Sequence, residues 1–264
     1  MKRQRVFAIF LRQMFRIRRS WGRILGIFYW SSLELFLWGV LTMYLNRVGA
    51  SDINFLAIIL GALIFWNFLI RIQHGITISF LEDIWTRNLL NLFASPLSLR
   101  EYLGGILLTS MFEMVLALSF MSLLAWALFA YNILQVGLLI IPFAAILFVF
   151  GFALGISTTA LILRLGPSAE ILAWSIPALL FPLSSVVYPL SALPPPLQYI
   201  ASILPTTYVF EGMRSAAIEG SFDFGRLVIA FALSLIFLLL SYAFLKKVYR
   251  YVLRRGLFTR FATD

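Results

Sequence analysis

Apolar runs separated by short polar stretches repeat along the chain, and several reach the ~20 residues that a helix needs to cross a bilayer. The pattern predicts an all-α, polytopic membrane protein with six transmembrane helices. Gly151 and Gly155, four residues apart, also predict a close helix contact in the fourth span. The predicted spans cover residues 24–45, 55–78, 102–129, 136–163, 171–187 and 227–245.

Composition agrees with this fold class. Hydrophobic residues make up 62% of the chain and charged residues 12%, about half the charged fraction of a soluble domain. No stretch separates as a soluble unit, so residues 1–264 are predicted to form a single transmembrane domain. The net charge of +10 comes from basic residues at span ends, which favours contacts with anionic lipid headgroups over nucleic acid. The absence of cysteine excludes disulfides and thiolate metal ligands.

Residues 1–23 interleave arginines with apolar side chains at helical spacing. This pattern predicts an amphipathic helix that lies in the membrane interface, with its basic side towards lipid phosphates. A disordered basic tail is the alternative, and the helical spacing of the apolar residues argues against it.

A second polar stretch, residues 81–98, interrupts the apolar pattern between the second and third spans. Its apolar and charged residues fall on different sides of a helix, and Ser95-Pro96 would end that helix. Two interpretations stay open: a cytoplasmic helix that a soluble partner binds, or a loop that lies at the lipid headgroups. The side chains that would make such a contact are Glu82, Asp83, Arg87, Leu89, Leu92 and Phe93.

A third stretch, residues 188–226, precedes the last span and is rich in proline. Pro194 to Pro196 forbid a continuous helix. Two short apolar pieces follow, at 197–204 and 207–217, and Pro205 lies between them. Each piece is too short to cross a bilayer. We therefore predict a re-entrant helical hairpin whose ends are covered by protein.

The distribution of basic residues predicts the topology. Six spans bring both termini to one side, and the side richer in Lys and Arg is the cytoplasmic one. Only Arg47, Arg214 and Arg226 fall on the opposite side. The prediction is that both termini and residues 81–98 are cytoplasmic and that residues 188–226 are extracytoplasmic.

Two carboxylates and the single histidine fall inside predicted spans: Glu34, Glu113 and His74. Such residues are costly in lipid and should face protein or water. We favour a structural role, with Arg71 or His74 as a partner of the carboxylates, over a role in a substrate or proton path. His74 is the only histidine, so no metal site is predicted.

Three stretches of the chain, in their order, resemble the ABC transporter permeases of the type-2 exporter class. They are residues 1–23, 81–98 and 188–226. Residues 1–23 look like the elbow helix of that family, and the helix that ends at Ala94-Ser95-Pro96-Leu97-Ser98 looks like its coupling helix. A common form of the third motif has Asn where this chain has Leu204. The stretches similar to the family's re-entrant region are Tyr188-Pro189, Leu193-Pro194, Leu204-Pro205-Thr206-Thr207-Tyr208 and Glu211-Gly212-Met213-Arg214.

The resemblance implies one half of an exporter in a prokaryotic plasma membrane. A second copy or a related permease would complete it, and a separate nucleotide-binding subunit would bind ATP and Mg. This chain carries no GxxxxGK[ST] motif and no cofactor is expected in it. The implied ATPase-coupling interface consists of Glu82, Asp83, Arg87, Leu89, Leu92, Phe93, Ser95 and Pro96. The implied extracytoplasmic gate consists of Pro194, Pro205, Tyr208, Glu211 and Arg214, of which the last two could instead simply pair with each other.

Other classes of protein fit the sequence less well. A membrane-embedded enzyme would need a catalytic cluster, and the chain has neither HExxH nor GxSxG. A secondary transporter usually shows an inverted repeat of broken spans, whereas the broken elements here occur once. A structural scaffold leaves the hairpin unexplained. A lipidic, lipid-linked glycan or drug-like substrate fits apolar, aromatic spans, and the sequence does not distinguish among these.

Overall fold

The computed structural model describes residues 2–48, 55–220 and 223–256. Within these ranges the chain forms helices and no strand. Short 3-10 turns occur at Ile133–Leu139, Pro167–Ile171 and Leu190–Ala192. The α-helices are α1 (Arg3–Arg19), α2 (Trp21–Val48), α3 (Phe55–Trp85), α4 (Leu89–Ala94), α5 (Leu99–Phe129), α6 (Ile140–Leu165), α7 (Leu172–Leu183), α8 (Pro195–Ser202), α9 (Pro205–Glu219) and α10 (Phe224–Arg254).

Among the described residues, five helices are long and apolar enough to cross a membrane: α2, α3, α5, α6 and α10. They coincide with five of the predicted spans. The remaining one, predicted at 171–187, corresponds to the shorter apolar segment Pro167–Leu183. At 1.5 Å per residue this segment reaches only about 25 Å. Two prolines lie inside α7, at Pro177 and Pro182. A sixth full span therefore stays a prediction.

The centre of the bundle is α3, of which 78% of the most apolar stretch is buried, compared with 17% for α10. It packs against α5 and α6, and α10 packs on α6. The predicted close contact of Gly151 and Gly155 is confirmed, because a Cβ atom at Gly155 would lie 2.8 Å from Cδ1 of Ile76 on α3. Small residues let these two backbones approach.

The connecting segments are divided between two ends of the bundle. At one end, Trp85 donates from Nε1 to Glu170 at 2.8 Å, and Arg100 donates from Nε to the Tyr242 hydroxyl at 2.8 Å. These contacts bring together the carboxyl end of α3, the turn after α6, the beginning of α5 and the second half of α10, and α4 lies in the chain between α3 and α5. At the other end, near Gly61, lie Tyr131 and Met213 of α9. The α4 segment and the α8–α9 hairpin thus lie at opposite ends, as the predicted topology requires.

Candidate functional site

The segment 81–98 is not the single amphipathic helix that its pattern predicted. Residues 81–85 are the last turn of α3, and α4 is a separate helix of six residues. The chain reverses between them at Arg87, which adopts a left-handed conformation with φ 53°. The Asn88 amide donates to the Asp83 carbonyl at 2.9 Å and closes this turn. Ser98 then caps α5.

Asp83, predicted to contact a soluble partner, is fully buried. Its Oδ1 accepts from Nη1 of Arg16 at 2.8 Å and also from Arg12, and its Oδ2 accepts from the Tyr102 hydroxyl at 2.8 Å. Glu82 lies 3.7 Å from Nε of Arg16. The prediction for Asp83 was wrong because this carboxylate is already satisfied inside the chain. We call Arg12, Arg16, Asp83 and Tyr102 the arginine cluster.

A second buried carboxylate, Glu101, holds the beginning of α1 to α5. It accepts from the Lys2 backbone amide at 2.7 Å and lies 3.4 Å from Nη1 of Arg5, which also donates to the Pro96 carbonyl. Glu101 also forms a capping box with Ser98. Sequence reasoning missed Glu101, although the S-x-x-E spacing before an apolar run marks such a box.

The basic side of α1 was predicted to face lipid phosphates, but part of it faces the protein itself. Arg5, Arg12 and Arg16 face carboxylates of α3 and α5. On the same helix, Ile9 packs closely on Gly105 of α5. A Cβ atom added to Gly105 would lie 2.5 Å from the Cβ atom of Ile9. Helix α1 is thus packed on α5 and bonded to both α3 and α5.

The short helix α4 has one side in the core and one side exposed. Leu89 is only 1% exposed and Leu92 packs against the core, so these two predicted anchors serve the chain itself. The side chain of Phe93 lies outside the described part of the structure. Exposed residues of α4 include Asn91 and Ala94. We call Asn91, together with the exposed flanking residues Arg87, Ser95 and Pro96, the outer face of α4.

The two carboxylates and the histidine predicted inside spans line one cavity of about 600 Å³. It lies between α2, α3, α5 and α7, and we call it the polar cavity. Two tryptophans with exposed side chains complete a mixed apolar and charged wall. Six of the lining residues are Trp30, Glu34, Arg71, His74, Glu113 and Trp174.

A chain of hydrogen bonds crosses this cavity. Glu34 accepts from Nδ2 of Asn67 at 3.0 Å, and Oδ1 of Asn67 accepts from the Ser31 hydroxyl at 3.2 Å. Arg71 donates to Ser31 at 3.4 Å. Asn67, rather than Arg71 or His74, is therefore the partner of Glu34. In the described part of the chain no group of three His, Asp or Glu residues could hold a metal ion.

The proline-rich stretch forms the two predicted short helices, α8 and α9. Pro194 precedes α8, and Pro205 occupies the first turn of α9, where its missing N–H costs nothing. Thr207 donates from Oγ1 to the Ala201 carbonyl at 2.7 Å, and Tyr208 donates from its hydroxyl to the Ser202 carbonyl at 2.8 Å. These bonds fix α9 against α8.

Glu211 and Arg214 pair with each other on α9, as one of the two interpretations predicted. Glu211 also accepts from the Leu190 amide at 2.9 Å, and Arg214 donates to the Ser185 carbonyl at 2.9 Å. Burial lowers the pKa of Arg214, and the charge of Glu211 opposes that effect. The pair therefore ties α9 to the segment between α7 and α8.

Five membrane-length helices, a polar cavity between them and a half-buried helical hairpin define a multi-pass helical membrane protein. The chain belongs to the ABC-2 type transporter family, whose model matches residues 4–218. It is a permease subunit of an ABC transporter, which confirms the resemblance. The matched range includes α4, the polar cavity and most of the hairpin, and it ends before α10. A comparison with curated proteins finds no match.

Proposed function

We propose that this chain is the permease subunit of an ATP-driven exporter of an amphipathic substrate: a lipid, a lipid-linked glycan or a drug-like molecule. A separate nucleotide-binding subunit binds ATP and Mg and hydrolyses the nucleotide. A second copy of the permease, or a related one, completes the pathway in a prokaryotic plasma membrane, with both termini in the cytoplasm. Family membership supports the ATP-binding partner.

The observation that carries this proposal is the way in which α1 bridges the helices on either side of α4. Asp83 at the end of α3 and Glu101 at the beginning of α5 both bind basic or backbone groups of α1. The Pro96 carbonyl, just after α4, also accepts from α1. A force on the outer face of α4 is therefore transmitted to two membrane-length helices together.

In this proposal the nucleotide-binding subunit docks on the outer face of α4. Arg87, Asn91 and Ser95 supply polar contacts in place of the buried Asp83. ATP binding changes the surface that the partner offers, and the difference in its affinity for two positions of α4 shifts the permease between two states. Leu89 keeps α4 seated on its own core during that movement.

The polar cavity is the proposed place where the polar part of a substrate is held. Its wall combines Glu34, Glu113 and Arg71 with the indole rings of Trp30 and Trp174. Carboxylates and a guanidinium can pair with a substrate headgroup, and the rings can contact its apolar part. Helix α2 borders the cavity and is only 18% buried, which leaves a face for a second permease or for lipid.

The docking step is tested by replacing Arg87 with Glu. The permease and its nucleotide-binding subunit are co-purified and reconstituted in nanodiscs, and ATP hydrolysis and subunit stoichiometry are measured. We expect R87E to lower assembly and hydrolysis at least several-fold, because a charge at a contact surface is reversed. The matched control is Arg226→Glu, an exposed charge at the opposite end of the bundle, which should leave both unchanged.

Wild-type assembly and hydrolysis in R87E would refute docking on this face. Substrate movement by the purified permease that needs a proton or sodium gradient and no ATPase subunit would refute the proposed function as a whole.

A further inference from the structure

The carboxyl end of α10 carries four exposed basic residues: Lys246, Lys247, Arg250 and Arg254. They line a cleft of about 610 Å³ together with Ala243, Tyr251 and Arg255, and the Arg255 guanidinium lies over the Tyr251 ring. Among the described residues no carboxylate lies within ion-pair distance of any of these four. The cleft therefore holds several positive charges with no counter-charge from the described chain.

A second cleft, of about 230 Å³, lies between α6 and α10. Arg164 in the last turn of α6 forms one side, and Phe244 and Val248 of α10 form an apolar wall. Lys247 and Tyr251 line both clefts, so the two adjoin. We call them together the basic cleft. It offers charged groups for an anion and, beside them, apolar surface.

Several basic residues elsewhere in the described bundle pair with carboxylates. Arg12 and Arg16 share Asp83, Arg5 lies near Glu101, and Arg214 and Arg226 pair with neighbours on their own helices. Lys246, Lys247, Arg250 and Arg254 have no such carboxylate partner among the described residues, so the charge that they bring to the basic cleft favours an external anion. The basic cleft lies at the same end of the bundle as α4, which is the end predicted to face the cytoplasm.

We propose that the basic cleft binds the headgroup of an anionic phospholipid, and prefers one that carries two phosphates. Lysine and arginine donate charge-assisted hydrogen bonds to phosphate oxygens. Two adjoining clefts that share Lys247 suit two phosphates, and Phe244 and Val248 suit the beginning of an acyl chain. Basic pockets between transmembrane helices are known to favour such headgroups. This proposal does not depend on the exporter function, and most of the cleft lies beyond residue 218, where the family match ends.

Native mass spectrometry of the full-length permease in detergent tests the proposal. Cardiolipin, phosphatidylglycerol and phosphatidylcholine are titrated separately, and inorganic pyrophosphate is then added as a competitor. We expect cardiolipin to bind more tightly than phosphatidylglycerol, and phosphatidylcholine to bind most weakly. Pyrophosphate should displace little cardiolipin, because a free anion lacks the acyl chain. Equal binding of all three lipids, or full displacement by pyrophosphate, would overturn the proposal.

The variant that addresses the cleft is Lys247→Gln combined with Arg250→Gln. Each lost charge should weaken cardiolipin binding about fivefold, so the double variant should lose about 25-fold. The control is Arg47→Gln with Arg226→Gln, which removes the same charge at the opposite end and should bind like the wild type. All four side chains are exposed, so folding should be unaffected, as thermal unfolding will check. Equal losses in both double variants would also overturn the proposal.

Discussion

At the α4 end of the bundle, the bonds from α1 join residues far apart in the chain, whereas the bonds between α8 and α9 at the hairpin end join near neighbours. Arg12 and Arg16 reach Asp83 across 71 and 67 positions. At the hairpin end, Thr207 reaches Ala201 and Tyr208 reaches Ser202 across six positions each. With the Tyr102 bond to Asp83, the first set connects α1, α3 and α5, and the second set holds one hairpin together.

The difference separates two mechanical roles. Long-range bonds at the α4 end make α1, α3 and α5 respond together when α4 is displaced. Short-range bonds at the hairpin end hold α8 and α9 together, and Thr206 and Thr207 join α9 to Ser184 and Leu183 at the end of α7. The bonds of Glu211 and Arg214 to the segment between α7 and α8 are of intermediate range, at 21 and 29 positions.

The largest effect is expected from Asp83→Asn, which removes the carboxylate from the arginine cluster. Arg12 and Arg16 would then face each other in a largely buried position, at a cost of roughly 3 kcal/mol of unfolding free energy. Thermal unfolding of the purified permease in detergent measures the loss. Glu82→Gln is the control, because Glu82 lies at 3.7 Å from Arg16 and is partly exposed, so its change should be small. Equal stability of D83N and the wild type would show that the cluster does not hold this end together.

A smaller effect is expected from Gly105→Ala, which acts on the same end through packing. The added Cβ atom would lie 2.5 Å from that of Ile9 and 2.8 Å from the Val6 carbonyl, so α1 must move away from α5. Overpacking of this kind costs about 1–3 kcal/mol. Gly26→Ala is the matched control, since nothing lies within 4 Å of its added Cβ atom. Hydrogen exchange of α1 amides should rise in G105A and stay unchanged in G26A. Unchanged exchange in both variants would contradict a close α1–α5 contact.

The membrane-length helices and the hairpin could be predicted from the sequence because their signals are local. A run of apolar residues sets the length of a span, and Pro194 and Pro205 mark where α8 and α9 begin. The same holds for Gly151 and Gly155, whose spacing is enough to predict a close helix contact.

The α4 end could be predicted only in part, because its geometry depends on distant partners. A carboxylate near the end of a span is expected to face solvent, and only the arginines of α1 explain why Asp83 is buried. The turn at Arg87 carries no glycine that would mark a left-handed conformation. This turn separates the end of α3 from α4, where the sequence predicted one helix.

The smallest effect is expected at the hairpin end, from Arg214→Gln. The change removes the pair with Glu211 and the bond to the Ser185 carbonyl, while Glu211 keeps the Leu190 amide. Because Glu211 keeps the Leu190 amide and, unlike Asp83, is partly exposed, we expect a loss of about 1 kcal/mol. Hydrogen exchange should therefore increase about fivefold at residues 184–192 and remain unchanged at the Ile84 and Tyr102 amides.

Arg226→Gln is the matched control for this variant. It breaks an ion pair of the same spacing with Asp223, but both partners there are more than half exposed, so exchange should not change. If R214Q instead increased exchange at the α4 end as well, the hairpin would be coupled to the arginine cluster through the spans. The two ends would then act as one element, and the separation of roles drawn from the range of their bonds would be wrong.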